Sequence, residues 1–497
     1  MSAPSAPSAP SAPSAPSGHA SAAYAVKDVN EAFRGGARVP AFLGQINQAS
    51  LVMLTERDVI GAQDARAIAQ AILALENEAP AARPSGDYLD YERRLAALAG
   101  PSASLVHAGR SRQDIASTLS RMNLRADLLD AHAGLGDMRR GLLKLAGDHV
   151  RTVIPAYTHG VQAQPTTLAH YLLAVVAALG RQQQRLEQAY ARINLSPLGA
   201  AALAASSFPV DRERLASLLG FGGIVRNTYD ANHLASVDSS LELASVLASC
   251  AVQISQFAQD LHSQYLTPHP WLTMRGGELM GISSLMPQKR NPAALEQLRA
   301  QSSLLLCEMQ GPFLVAHNVR TGMFDYRAYD PLSSKRFVAL FALFTRIVDS
   351  LVVDAQQARR EVDADYSTVT EIADVLMQQA RVPFRLGHHF ASLLTDFGRE
   401  RRLRLAEISY EQACALYREQ AGAELPIDAV QYNQCVDAEQ MILRRRGAGG
   451  PQPDEAMRML DEERAAAEAA GVWNAQARQA LARAGDELLA LTRARAG

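Results

Sequence analysis

The chain has 497 residues, of which 48% are hydrophobic and 20% are charged, and its formal net charge is -2. This length predicts two or three domains or one elongated helical assembly. The nearly neutral charge argues against a dedicated binder of nucleic acid or of membrane surfaces. We therefore expect the partners to be small molecules or further copies of the chain.

The N-terminal region is a low-complexity tract. Residues 2–16 are five copies of Ser-Ala-Pro, a composition that cannot bury apolar surface, so residues 1–18 are predicted to form a disordered tail. The tract has no basic start and no apolar stretch, which argues against a secretory signal. Elsewhere, four widely spaced cysteines predict reduced thiols in a cytoplasmic protein, not a disulfide frame or a metal site.

The rest of the chain predicts an all-α fold. Ala and Leu are abundant, aromatic residues make up 6%, and alternating extended segments are hard to find. We divide it into an N-terminal helical domain (19–109), a central domain of long helices (110–364) and a C-terminal helical domain (365–497). Residues 234–266 and 337–362 are each predicted to form one unbroken helix suited to a bundle. The apolar runs over residues 171–179 and 337–344 are shorter than a membrane span and are predicted to lie in buried helices.

The first candidate site segment runs from His107 to Asp114 and contains Arg110-Ser111-Arg112-Gln113 just before a predicted helix. One interpretation is a solvated helix start. Another is a carboxylate-binding segment, because a guanidinium group presents a planar pair of donors that matches a carboxylate. These residues alone leave both interpretations open.

The second candidate segment runs from Tyr157 to Pro165 and includes Thr158 and His159. It is predicted to lead into an apolar helix over residues 168–179. A histidine near a helix start is commonly a structural residue with satisfied hydrogen bonds. The alternative, an active-site histidine, depends on the neighbouring residues.

The third candidate segment, Gly281 to Pro292, is predicted to be a loop, because Pro287 and Pro292 interrupt any continuous helix. Asn291 is the predicted N-cap of the next helix, and Pro292 is its predicted first residue. The loop would carry a mobile serine, with Lys289 near a helix start whose free amides attract anions. An ordinary surface loop is the alternative.

Together these segments resemble the signatures of the argininosuccinate lyase family, within the fumarase and aspartase superfamily. Residues 283–292 fit the argininosuccinate lyase version of the superfamily's loop signature. Gln113 stands where the family has asparagine, and Gly160-Val161 stands where it has leucine and glutamine. The resemblance covers nearly everything from about residue 40 to the end of the sequence.

The resemblance implies a homotetramer around a bundle of twenty long helices, in which each active site draws on three subunits. It also implies a β-elimination, without cofactor or metal, that releases fumarate from an N-substituted aspartate. Ser283 would accept the proton, and His159 with Thr158 would assist the leaving amine. The dicarboxylate half would be bound by Ser111, Arg112, Gln113, Lys289 and Asn291.

The residues expected around the amine half differ from those of argininosuccinate lyases. Met323, Ala328 and Pro331 stand where the family has the tyrosine, glutamine and lysine that hold the arginine half, so contacts to a guanidinium are lost. Arg327 adds a cation that suits a further carboxylate. We therefore predict a divergent member that acts on an aminopolycarboxylate of the ethylenediamine-N,N'-disuccinate (EDDS) type. A true argininosuccinate lyase and a non-catalytic crystallin-like relative are the alternatives.

Overall fold

The computed structural model describes residues 38–78, 88–325, 332 and 335–497. Within these residues the chain consists of helices joined by a few short strands, which confirms the predicted all-α class. The Ser-Ala-Pro tract, Arg327, Ala328 and Pro331 lie outside the described residues.

An N-terminal unit supports the start of the central bundle. It contains α1 (Val39–Glu56), α2 (Ala62–Glu76), α3 (Tyr88–Ala99) and a 3-10 segment (Gly100–His107). Their apolar faces share one core, in which Leu43, Ile46 and Ile72 are fully buried. Ile115 and Leu119 of the next helix belong to the same core, so this unit fixes where that helix begins.

Long helices form the centre of the molecule. In chain order they are α4 (Arg112–Asp148), α5 (Leu168–Ile193), the short α6 (Arg212–Leu218) and α7 (Thr228–His233), α8 (Ala235–Ser263), α9 (Ala293–Ala316) and α10 (Arg336–Asp349). A 3-10 turn, Gln264–Leu266, extends α8, so the helix predicted over residues 234–266 is confirmed. Leu135, Leu172, Leu247 and Leu298 lie fully buried in the common core.

Helix α8 has the length and composition of a membrane-crossing segment. Half of its most apolar window is nevertheless buried inside the chain. Leu243, Leu247 and Ile254 of α8 pack in the bundle core. A central helix of a bundle needs this apolar composition, so packing accounts for it.

Short antiparallel strands, which were not predicted from the sequence, join the helices. They are β1 (Val153–Thr158) with β2 (Val161–Thr167), β3 (Leu272–Met274) with β6 (Leu351–Val353), and β4 (Gly281–Ile282) with β5 (Arg290–Asn291). Val153, Ile154 and Thr166 are β-branched, which favours the extended backbone of the first pair.

The unbroken helix predicted over residues 337–362 was wrong. Helix α10 ends at Asp349, β6 follows, and α11 spans Ala355–Ala364. The β-branched pair Val352-Val353 lies in β6 and pairs with β3. The Asp354 side chain then accepts a hydrogen bond from the Gln357 amide at 2.9 Å and caps α11.

The C-terminal region forms a third helical unit and one long returning helix. Its elements are α12 (Val369–Ala380), α13 (Phe384–Arg401), a 3-10 turn (Leu405–Glu407), α14 (Tyr410–Ala421), α15 (Ala429–Val436), α16 (Ala438–Leu443) and α17 (Pro453–Ala496). Phe390 and Tyr432 are fully buried in this unit. Helix α17 leaves it, since Leu460 lies in the bundle core and Leu488 lies in the N-terminal core.

Candidate active site

The first candidate segment lies where α4 begins. Helix α4 spans 37 residues, which corresponds to about 55 Å at a rise of 1.5 Å per residue. At its start, the Arg121 guanidinium donates to the Ala235 carbonyl at 2.8 Å and to the Ile193 carbonyl at 3.1 Å. The end of α5 and the start of α8 therefore meet the start of α4. We term this region the Ser111 end.

The other two candidate segments lie at the opposite end of the bundle. Helix α4 leads into the β1–β2 hairpin, from which α5 returns. The β4–β5 loop directly precedes α9, and the two helices α8 and α9 pack along each other. The Tyr171 hydroxyl near the start of α5 donates to Asp260 near the end of α8 at 2.7 Å. We term this region the Ser283 end.

Ser111 and Arg112 occupy the N-terminus of α4. The Ser111 hydroxyl accepts a hydrogen bond from the Gln113 amide at 3.1 Å and caps the helix. Ser111 is half-buried and Arg112 is exposed. The helix dipole and the guanidinium group both favour an anion at this position.

The structure distinguishes the two arginines of this segment. Arg110 is buried, and its guanidinium donates to Asn47 at 2.6 Å and to Ser50 at 2.8 Å in α1. Burial lowers the pKa of Arg110 below its ordinary value. Arg110 therefore joins α1 to α4, whereas the side chain of Arg112 is exposed.

Gln113 points into the protein. Its side chain is buried, and its amide nitrogen donates to the Asn232 carbonyl at 3.0 Å. The extra methylene of glutamine is used here to reach the end of α7. The role of Gln113 in substrate binding stays a prediction.

Asp114 is the central residue of the Ser111 end and was not among the predicted site residues. Its fully buried carboxylate accepts hydrogen bonds from the amides of Ala201 and Ala202 at 2.8 and 2.9 Å, and from the Asn232 side chain at 2.9 Å. Ser111 lies 3.3 Å from the same carboxylate. One buried charge thus connects the α4 start, the loop after α5 and α7.

That loop is held in a strained backbone. Ala201, Ala202 and Ala205 have φ angles of 47°, 68° and 63°, a region that costs a residue with a Cβ about 1–2 kcal/mol. The hydrogen bonds that the Ala201 and Ala202 amides donate to Asp114 offset this cost, because an amide without an acceptor is unfavourable as well.

Thr158 and His159 lie at the tip of a hairpin that leads into α5, so the helix predicted over residues 168–179 is confirmed, whereas the hairpin before it was not predicted. Thr158 pairs with Val161, which leaves His159-Gly160 as a two-residue turn. Their φ angles are 54° and 76°, as a type I′ turn requires at both positions. Helix α5 starts later, where Thr167 accepts a hydrogen bond from the His170 amide at 3.2 Å. Both Thr158 and His159 are exposed.

The segment with Ser283 is a loop closed at its neck. Gly281 pairs with Asn291, and Ile282 pairs with Arg290. The prediction that Asn291 caps α9 was wrong: Asn291 lies in β5, and Pro292 is the capping residue. The strand pairing holds Asn291 in an extended backbone, one residue before the cap.

Inside the loop, the Ser283 hydroxyl accepts a hydrogen bond from the Met286 amide at 3.0 Å. Such a donor favours an anionic oxygen over a neutral one. Lys289 is exposed, and its amide closes the next turn on the Met286 carbonyl at 3.0 Å. Ile282 and Leu285 are 81% and 83% exposed, so the loop presents apolar side chains to water.

The segment after α9 lies at the Ser111 end. Tyr229 and Thr321 share a hydrogen bond of 3.2 Å between their hydroxyls, and the Phe324 ring stacks on His233 with centroids 6.3 Å apart. Met323, between these contacts, is 55% exposed. The predicted amine-binding residue Arg327 lies outside the described residues.

Within one chain, the structure thus forms two groups of candidate residues. Ser111, Arg112 and Gln113 lie together with Met323, whereas Thr158, His159, Ser283, Lys289 and Asn291 lie at the far end of the bundle. A single small substrate cannot contact both groups of one chain, because about 55 Å of helix separates them.

Two family models match the chain: one described as lyase over residues 87–305, and one described as argininosuccinate lyase C-terminal over residues 366–437. The argininosuccinate lyase of Chelativorans sp. is 31% identical over 386 residues, or 74% of this chain and 80% of the relative. The argininosuccinate lyase of Bartonella tribocorum is 32% identical and covers 75% of this chain and 78% of the relative.

Solved structures of lyases match the fold of this chain. EDDS lyase in complex with formate has a TM-score of 0.85 at 29% identity, and the match covers 94% of this chain and 93% of the other. An EDDS lyase variant with bound fumarate matches equally well. A fumarate lyase from Mesorhizobium sp. has a TM-score of 0.69 at 17% identity, which shows a shared fold.

Proposed function

This chain belongs to the argininosuccinate lyase family, and we propose that it releases fumarate reversibly from an N-substituted aspartate other than argininosuccinate. An aminopolycarboxylate of the EDDS type is the favoured substrate. The chain is a carbon–nitrogen lyase, as its similarity to argininosuccinate lyases and EDDS lyase shows. The observation that carries the proposal is Met323, which stands exposed beside the Ser111 end where a polar contact to arginine is expected.

The elimination requires stabilisation of a doubly negative carboxylate. Removing a proton next to a carboxylate places a second negative charge on that group in the transition state. Fixed donors that are already in place lower the barrier, because they need no reorganisation. Arg112, Ser111, Lys289 and Asn291 supply such donors, together with the free amides at the start of α4.

Ser283 is the proposed base. A neutral serine is too weak, so its hydroxyl must lose a proton under nearby positive charge. The Met286 amide already donates to this oxygen, and Lys289 in the same loop adds a cation. Closure of the loop over the substrate would cover Ile282 and Leu285 and exclude water.

His159 is the proposed proton donor to the leaving amine, and Thr158 orients the substrate beside it. Both are exposed at a hairpin tip that projects from the bundle. Such a tip can reach a site formed mainly by another copy of the chain.

The separation of the two groups supports a shared site. We propose a homotetramer in which the Ser111 end of one subunit meets the Ser283-end residues of others, with three subunits at each site. Two-fold symmetry would allow this, because antiparallel copies place opposite ends side by side. Light scattering of the purified protein measures the assembly, and a monomer at micromolar concentration would contradict it.

Fumarate absorbance tests the substrate. We expect purified enzyme to release fumarate from EDDS, and to make addition products from fumarate and ethylenediamine in the reverse direction. Efficient turnover of argininosuccinate would instead identify a true argininosuccinate lyase. The matched control is Ser283→Ala, which should abolish either reaction without changing the assembly.

A further inference from the structure

The hairpin that carries His159 is anchored differently at its base and near its tip. At the base, Val153 of β1 packs in a small buried cluster with Val362 of α11 and with Ala438 and Ile442 of α16. The tip extends beyond this cluster. A two-stranded hairpin alone is marginally stable in water, so the direction of its tip depends on contacts from outside.

Two paired residues supply these contacts. Tyr157 of β1 and Gln162 of β2 are directly opposite each other, so they lie on the same face of the hairpin. The Tyr157 hydroxyl donates to the Glu361 carboxylate in α11. The Gln162 side-chain amide donates to the Val362 backbone carbonyl at 3.2 Å. Both strands are thus tied to the same turn of α11.

The Tyr157 hydroxyl keeps its proton in this contact. Burial, followed by the hydrogen bond and the charge of Glu361, raises the pKa of Tyr157 well above its ordinary value. Tyr157 therefore stays a hydrogen-bond donor across the range in which an enzyme works. His159 lies two residues beyond Tyr157, in the turn itself.

We propose that Glu361 is a positioning residue, which holds the hairpin through Tyr157 so that His159 meets the leaving nitrogen of the substrate. The inference rests on the proposed function and extends it to a residue in α11. Proton transfer to a leaving group is sensitive to geometry, since a displacement of about 1 Å can cost about 100-fold in rate.

The chain offers matched variants for a test. Glu361→Leu and Tyr157→Phe each remove the bond, whereas Glu361→Gln keeps a side-chain acceptor of the same size. Asp363→Asn is the control, because Asp363 lies in the same helix and pairs with Arg359 at 2.9 Å, away from the hairpin. Thermal unfolding and light scattering verify that each variant folds and assembles.

The decisive measurement is kcat for a series of fumarate-releasing substrates whose amines differ in basicity. Glu361→Leu and Tyr157→Phe should lower kcat about 10- to 100-fold, most for the most basic amines, which need the proton donor most. KM should change little, and Glu361→Gln and Asp363→Asn should behave like the wild type. His159→Asn should show the same dependence on amine basicity.

Two results would overturn the inference: unchanged kcat in Glu361→Leu, or a loss of equal size for all amines, which indicates a general structural role. A fully active His159→Asn variant would instead contradict the proposed function. It would show that His159 is not the proton donor, which is the role on which the positioning by Glu361 rests. If Glu361→Leu fails to fold, Tyr157→Phe against Glu361→Gln gives the same comparison.

Discussion

The two ends of the bundle present their polar groups in opposite ways. At the Ser111 end, a buried carboxylate, Asp114, fixes three backbone segments, and the side chain of Gln113 is buried as well. At the Ser283 end, His159 lies on an exposed turn and Ser283 lies in a surface loop whose two ends pair as short strands.

This difference matches the two tasks of an elimination. Stabilising a developing charge requires donors that do not move, whereas proton transfer in a closed site requires groups that move in after the substrate binds. Substitutions at the two ends should therefore have different signatures. Changes at the Ser283 end should lower activity without lowering stability, and buried changes at the Ser111 end should lower stability.

The largest effect is expected for Ser283→Ala. Loss of the base should lower kcat about 10³- to 10⁴-fold, while the thermal midpoint stays within error because the side chain is only half-buried in a surface loop. Ser284→Ala is the matched control and should retain most activity. An active Ser283→Ala variant would remove this loop from the chemistry.

Arg112→Ala should have the next largest effect. Loss of a charged donor to the dicarboxylate should cost about 3 kcal/mol of transition-state stabilisation, or about 100-fold in kcat/KM. The kcat/KM of Arg112→Lys should lie between those of the wild type and Arg112→Ala, because lysine keeps the charge and loses the planar pair of donors. Equal kcat/KM for the three proteins would show that Arg112 does not contact the substrate.

Asp114→Ala should act on stability. It removes the acceptor of the Ala201 and Ala202 amides and of the Asn232 side chain, which should lower the free energy of unfolding by about 2 kcal/mol. Asp137→Ala, at an exposed position of the same helix, should change it by less than about 0.5 kcal/mol. Similar denaturant midpoints for both variants would contradict the central role of Asp114.

The smallest expected effect is a gain in stability. Ala201→Gly relieves the positive φ of 47° and should raise the free energy of unfolding by about 0.5–1 kcal/mol, after the entropy cost of glycine in the unfolded chain. Ala200→Gly is the control next to it and should destabilise, because Ala200 is buried. A loss of stability in Ala201→Gly would show that strain is absent at this position.

Helix caps and long helices could be predicted from local sequence. Asp211 directly precedes α6, and its side chain accepts a hydrogen bond from the Arg214 amide at 2.9 Å, as a local N-cap does. The helix over 234–266 was expected from its apolar pattern. Caps and helix periodicity depend on residues within a few positions, which one sequence contains.

The features that the sequence did not predict depend on contacts between residues far apart in the chain. Asp114 reaches amides 87 and 88 positions away, and nothing in its neighbourhood shows this. The side chains of Arg110 and Arg112 look alike in sequence, and only the packing of α1 decides which is buried. The hairpin had a local signal, since His159-Gly160 between β-branched residues suits a two-residue turn, but the apolar helix behind it dominated the interpretation.

Mixing variants with strongly reduced activity from the two ends tests the shared site most directly. Arg112→Ala and Ser283→Ala subunits, dissociated together and reassembled, should form some sites with an intact segment from each partner, about a quarter of them for random mixing in the tetramer. Mixtures of Arg112→Ala with Ser111→Ala should show no recovery, since both residues lie in one segment. Fumarate release should recover only in the first mixture; no recovery there would contradict a site built from opposite ends of different copies.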